Sequence, residues 1–102
     1  MPLGELDSQV LTIVKTPLEE KFRLPVNFLP PVKDIEEAYN SARLQYHSPT
    51  LISIVKRYVP EESLKVLGVI DEDLFVENLN FVFGQAELEG RAAVVSLKRL
   101  RE

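Results

Sequence analysis

The chain has 102 residues, with 12 Lys and Arg set against 16 Asp and Glu, a formal net charge of -4 and a pI near 5.0. That balance argues against a nucleic-acid or anionic-membrane partner, because binding phosphates takes clustered Lys and Arg to displace counterions. There is no cysteine for a disulfide or thiolate site, no apolar run near the roughly 20 residues that span a bilayer, and no signal-peptide pattern in MPLGELDS.

The expectation is one soluble, cytoplasmic domain over residues 1–102. Met1 to Leu6 is too short and too mixed for a strand, holding Pro2 and Gly4. Ser8 or Asp7 can cap a helix whose apolar positions Val10, Val14, Leu18 and Phe22 recur every four residues, with Leu11 beside them. Pro17 lacks the amide that the ladder needs, so the segment reads as one kinked helix or two short ones meeting at Thr16.

Pro25 to Leu29, with Val26 and Phe28 on one side, reads as a short outer strand stopped by Pro30 and Pro31. Asp34 and Glu37 have the spacing of a capping box, which predicts a short helix through about Arg43. Ser48 as cap and Pro49 in the first turn open a further helix with Leu51, Ile52, Val55 and Tyr58 on one stripe. Pro60, Glu61 and Glu62 end it.

Neither Val66 to Ile70 nor Ala92 to Leu97 alternates apolar with polar, and both are dominated by Val, Ile, Leu and Ala, the pattern of strands buried on both faces. Asn80 to Glu87 lies between them as a third strand. Leu88 to Arg91 is short enough to join the last two as an antiparallel hairpin, with Gly90 supplying a positive φ. The fold class is α/β, a mixed and mainly parallel sheet with an antiparallel edge strand and flanking helices.

If the two buried strands lie side by side, Asn80 to Glu87 falls at the sheet edge. Phe81 and Phe83 then share one face, and Val82, Gly84 and Ala86 share the other, where small side chains let another backbone approach. An edge strand presents unpaired amides and carbonyls, the surface that takes an extended peptide by strand addition. The plainer reading is an ordinary edge whose Phe residues belong to the core.

Asp71, Glu72 and Asp73 follow a buried strand, where α/β sheets place ligands. Asp71 and Asp73 could hold Mg²⁺ or Ca²⁺, although loop-ordering acceptors for backbone amides are the commoner role of such residues. His47 is the only histidine, so one copy of the chain cannot build a zinc site of two or three imidazoles. Its neighbour Ser48 hints at a nucleophilic pair but is better explained as the helix cap. The four glycines are scattered and form no phosphate loop. Lys98, Arg99 and Arg101 read as the solvated end of a strand.

The segments LGVIDEDLFVENLNFVFGQAELEGRAAVVSLKRL and YNSARLQYHSPTLI, with PLGELD and LEEKFRLPV, resemble the archaemetzincins, small metzincin-type zinc metallopeptidases found widely in archaea. The resemblance runs along essentially the whole chain. It implies a metzincin N-terminal sheet, without the active-site helix and the C-terminal subdomain. The His-Glu-x-x-His motif of that helix, the third histidine and the cysteines of the family's second zinc site have no counterpart among these residues. A first strand near the centre of the sheet is also implied, and most of it has no counterpart here.

The resemblance makes Asn80, Phe81, Val82, Phe83, Gly84, Gln85 and Ala86 the upper rim, against which an extended peptide lies antiparallel. The partners it implies are a peptide or protein substrate and a complementing C-terminal polypeptide. Catalytic residues and metal ligands are expected to be absent, zinc belonging to the complete family protein. From a different class comes a non-catalytic interaction module, pairing with itself or another chain through the edge strand or an exposed sheet face.

Overall fold

The computed structural model of the chain describes residues 1–6, 8–23, 29–59, 65–87 and 90–98. In chain order these form strand β1 (Pro2–Leu3), helix α1 (Ser8–Phe22), a 3-10 turn at Glu36–Ala38, β2 (Tyr39–Asn40), β3 (Gln45–His47) and α2 (Ser48–Arg57). They are followed by β4 (Val66–Ile70), β5 (Leu74–Phe75), β6 (Gly84–Ala86) and β7 (Ala92–Ser96). Among the described residues no helix is long and apolar enough to cross a membrane.

The main sheet has the order β1-β4-β7-β6. β4 and β7 pair in parallel from Val66 with Ala92 to Ile70 with Ser96, β1 runs parallel to β4, and β6 is antiparallel to β7. This is the expected α/β arrangement, with the antiparallel strand at the edge. Burial along β7 nonetheless alternates: Ala92, Val94 and Ser96 are buried, while Ala93 and Val95 are only half-buried. A mainly apolar run without alternation therefore marks a strand with one face closed and one face partly open.

The closed face packs on α2. This helix is rich in β-branched and polar residues with poor intrinsic helicity, so tertiary packing holds it. Leu51, Ile54 and Val55 are fully buried, each worth about 2 kcal/mol of removal from water. Ile54 takes the place expected for Tyr58, which is largely exposed. A Cβ at Gly68 would sit 2.8 Å from both Leu3 Cδ1 and Val55 Cγ2, so β1, β4 and α2 close on that glycine.

At the opposite end of the sheet, two residues suffice for β1, which the sequence did not reveal. The Met1 ammonium donates to the Leu67 carbonyl at 2.9 Å and Val69 N donates to the Met1 carbonyl at 2.9 Å. On the other side Val32 N donates to the Pro2 carbonyl and Gly4 N to the Val32 carbonyl. β1 is thus the last strand of the sheet on this side, paired with β4 and making one isolated parallel bridge, Leu3 with Val32, on its other side.

The helix expected from Asp34 to Arg43 does not form. Residues 36–38 make one 3-10 turn without a side-chain cap, and β2 and β3 follow as an antiparallel hairpin that joins β5 in a second sheet of order β2-β3-β5. The local chemistry explains the change. Asn40 Oδ1 accepts from the amides of Ala42 and Arg43 at 3.0 and 3.1 Å, an Asx-type turn that competes with helix. Glu37, instead of completing a capping box, accepts two hydrogen bonds from Arg57 at 2.6 and 3.2 Å.

α1 is a single helix with Pro17 inside it. The side chains of Val10, Val14, Leu18 and Phe22, the cap at Asp7, residues 25–28 of the strand expected from Pro25 to Leu29, the stop at residues 60–62, residues 88–89 of the expected turn and the basic residues Arg99 and Arg101 lie outside what is described. The φ of Gly90 depends on Glu89 and so also lies outside what is described. The lack of a side chain at Gly90 matters for another reason: a Cβ there would meet Glu87 Cβ at 2.5 Å.

Candidate functional site

The stretch expected as one strand from Asn80 to Glu87 is regular only at Gly84–Ala86. Val82 makes an isolated antiparallel bridge with Leu74, and Asn80, Phe81 and Phe83 lie outside any ladder. The change of partner at Val82 cuts the strand short. Phe81 and Phe83 meet edge to face at 5.3 Å, and Phe83 is 50% exposed, so that ring is not a core residue. Val82 is the member of this stretch that packs against the core.

The register fixes which way each peptide group points. Ser96 N donates to the Phe83 carbonyl at 2.8 Å and Glu87 N to the Ala92 carbonyl at 3.2 Å, while Gly84, Gln85 and Ala86 lie opposite Val95, Val94 and Ala93. Hydrogen-bonded and non-bonded pairs alternate in an antiparallel ladder, so residues 83, 85 and 87 direct their groups to β7. Gly84 and Ala86 direct theirs outward. At Val82 the outward amide already donates to the Leu74 carbonyl at 3.0 Å. The open edge among the described residues therefore starts at Gly84, and both Gly84 and Ala86 are exposed.

Gly84 is small for a reason the sequence did not disclose. A Cβ there would lie 2.7 Å from the Val94 carbonyl oxygen and 3.3 Å from Val95 Cα. The backbone that comes close at this glycine is that of β7.

Side chains from the second sheet and α2 hold this edge. Ser48, fully buried, donates to Gln85 Oε1 at 2.5 Å and lies 3.3 Å from the Phe75 carbonyl. It is therefore not the cap; His47 occupies that position, with no side-chain cap bond. Gln45 Nε2 donates to Asp73 Oδ2 at 2.8 Å and to the Asn80 carbonyl at 2.7 Å. Arg43 donates to the Leu79 carbonyl at 2.6 Å and stacks 4.1 Å over the Phe75 ring. Sequence reasoning missed Arg43, Gln45 and Gln85 Oε1 as partners, because contacts more than 25 residues apart leave no local spacing signal.

His47 is hydrogen-bonded to Thr50 Oγ1 at 2.7 Å and to Glu77 Oε1 at 2.8 Å. The bond that Glu77 receives from its own backbone, then that from His47, holds its carboxyl below the ordinary 4.5. The adjacent Ser48 faces Gln85 and Phe75, so the two do not form a nucleophilic pair. Asp73 is buried as the acceptor of the Gln45 side-chain amide, and Asp71 is half-buried. Among the described residues no three His, Cys, Asp or Glu side chains are grouped to hold a metal ion. With one histidine and no cysteine, the donor set of this chain does not fit a zinc site of two or three imidazoles.

A mixed sheet ending in a short antiparallel strand, with the Gly84 and Ala86 peptide groups directed outward, defines an α/β scaffold with an open edge among the described residues. No family model matches the chain. Archaemetzincin of Methanocaldococcus jannaschii is 37% identical over 98% of this chain and 53% of its own length, and that of Methanopyrus kandleri is 48% identical over 64% and 37%. The crystal structure of archaemetzincin from Archaeoglobus fulgidus superimposes with a TM-score of 0.81 at 34% identity, covering 97% of this chain and 60% of that one. A zinc-dependent peptidase from Methanocorpusculum labreanum, at 23% identity and a TM-score of 0.68, shares the fold. The chain is an archaemetzincin homologue, corresponding to the N-terminal portion of that family and spanning a little over half the length of most of the relatives it matches.

Proposed function

We propose that this chain is the substrate-cleft part of an archaemetzincin-like, zinc-dependent metallopeptidase, and that it does not hydrolyse peptides by itself. The observation that carries the reading is the outward direction of the Gly84 and Ala86 peptide groups at the sheet edge. An extended peptide laid antiparallel there would hydrogen-bond to both residues, with Asn80 to Phe83 and Gln85 forming the rest of the rim. The homology to archaemetzincins supports peptide-bond hydrolysis as the activity of a complete protein, and on this reading the zinc ligands come from a polypeptide other than these 102 residues.

The test is to combine the purified chain, zinc and a separately made polypeptide carrying the His-Glu-x-x-His helix, and to follow cleavage of a fluorogenic peptide. Cleavage is expected in the mixture and in neither component with zinc. Cleavage by the chain and zinc alone would overturn the reading.

A second reading is favoured by the half-buried apolar row Leu67, Ala93 and Val95 on the face away from α2. Apolar sheet surface of this kind also suits a non-catalytic module that pairs with itself or another protein. Sedimentation across a range of concentrations separates the two, since self-association predicts a mass that rises with concentration.

A further inference from the structure

The direction of the groups along β6 bears on which peptides fit. Resting on the reading of β6 as a strand acceptor, we propose that the edge selects peptides with two large apolar residues in i, i+2 spacing, one opposite Gly84 and one opposite Ala86, around a polar residue opposite Gln85.

Residues opposite one another in a ladder share a face. Gly84 and Ala86 lie opposite Val95 and Ala93, which in turn lie beside Val69 and Leu67. Leu67, Ala93 and Val95 are half-buried, and Gly84 and Ala86 place nothing larger than a methyl group beside them. A large apolar side chain on an added strand would lean across these small residues toward Val95 and Ala93, as aromatic neighbours cover edge glycines in other sheets.

Between Gly84 and Ala86 the other face presents polar Gln85, with the exposed Phe83 ring on that face beyond Gly84. Gln85 is hydrogen-bonded to Ser48, and Glu87 is paired with Lys56 at 3.0 Å. The residue between the two apolar ones projects to that side, where an apolar side chain gains little. The hydrogen bonds supply attachment without regard to sequence, and the alternation of faces supplies the choice.

The test uses the 102-residue chain, ¹⁵N-labelled, titrated with two acetylated and amidated pentapeptides of the same composition, three serines and two phenylalanines. In one peptide a single serine separates the phenylalanines; in the other they are adjacent. The spaced peptide is expected to move the Gly84 and Ala86 amide signals and to bind about 2- to 5-fold tighter, the worth of one cross-strand pair. Equal affinity at those same amides would overturn the spacing rule while leaving β6 a strand acceptor. Failure of both peptides to move Gly84 and Ala86 would remove the acceptor reading as well. Shifts at these amides that follow protein concentration without peptide would assign the edge to a second copy of the chain and overturn the proposal.

Discussion

The Ser48 hydroxyl donates to Gln85 Oε1 at 2.5 Å, fastening the first residue of α2 to the middle of β6. Removing it leaves a carboxamide oxygen facing a methyl group. Ser48→Ala should cost about 1–2 kcal/mol in urea unfolding. Ser48→Asp should cost at least as much, because a buried carboxylate would face the oxygens of Gln85 and Phe75. Stabilisation by Asp would instead return Ser48 to a capping role.

Gly84→Ala should loosen the edge strand. The added methyl group meets backbone atoms of Val94 and Val95, which cannot rotate away as a side chain would. A loss of about 1–3 kcal/mol is expected from such overpacking, with faster amide exchange at Gln85 and Val94 than in the unmodified chain.

These two positions show what was legible beforehand. The edge placement of β6 followed from neighbouring apolar runs and a short turn, and both features depend on local composition. Ser48 before Pro49 carries an N-cap signature, yet its hydroxyl is taken by a residue 37 positions away. The hairpin of β2 and β3 has strands of two and three residues, too short to register as alternation, and the Asp34 to Glu37 spacing pointed to helix instead. Tertiary pairing of short segments decided both cases.

Leu44 offers a gain in stability. It has φ of 55° at the end of the β2–β3 turn and is 69% exposed, so its side chain contributes little packing while its backbone is strained. Leu44→Gly should raise stability by about 1 kcal/mol, seen as an increase of several degrees in Tm.

The pair of Glu37 and Arg57 gives an acid limb to stability. Hydrogen bonding from Arg57, aided by its charge, holds the Glu37 carboxyl below its ordinary 4.5. The folded form thus binds this proton less readily than the unfolded form, so the contribution is present above about 4.5 and is lost as pH falls through the depressed value. Glu37→Gln should lower Tm slightly at pH 7, and the difference from the unmodified chain should vanish in acid and shrink in high salt.

The central claim is tested most directly by replacing one outward donor of β6. Ala86→Pro removes an amide that does not bond to β7, a substitution edge strands tolerate. In the three-component cleavage mixture it should lower kcat/KM by about 5-fold, the worth of one hydrogen bond, with the unfolding midpoint little changed. An unchanged kcat/KM would show that peptides do not lie along β6, and would contradict the account.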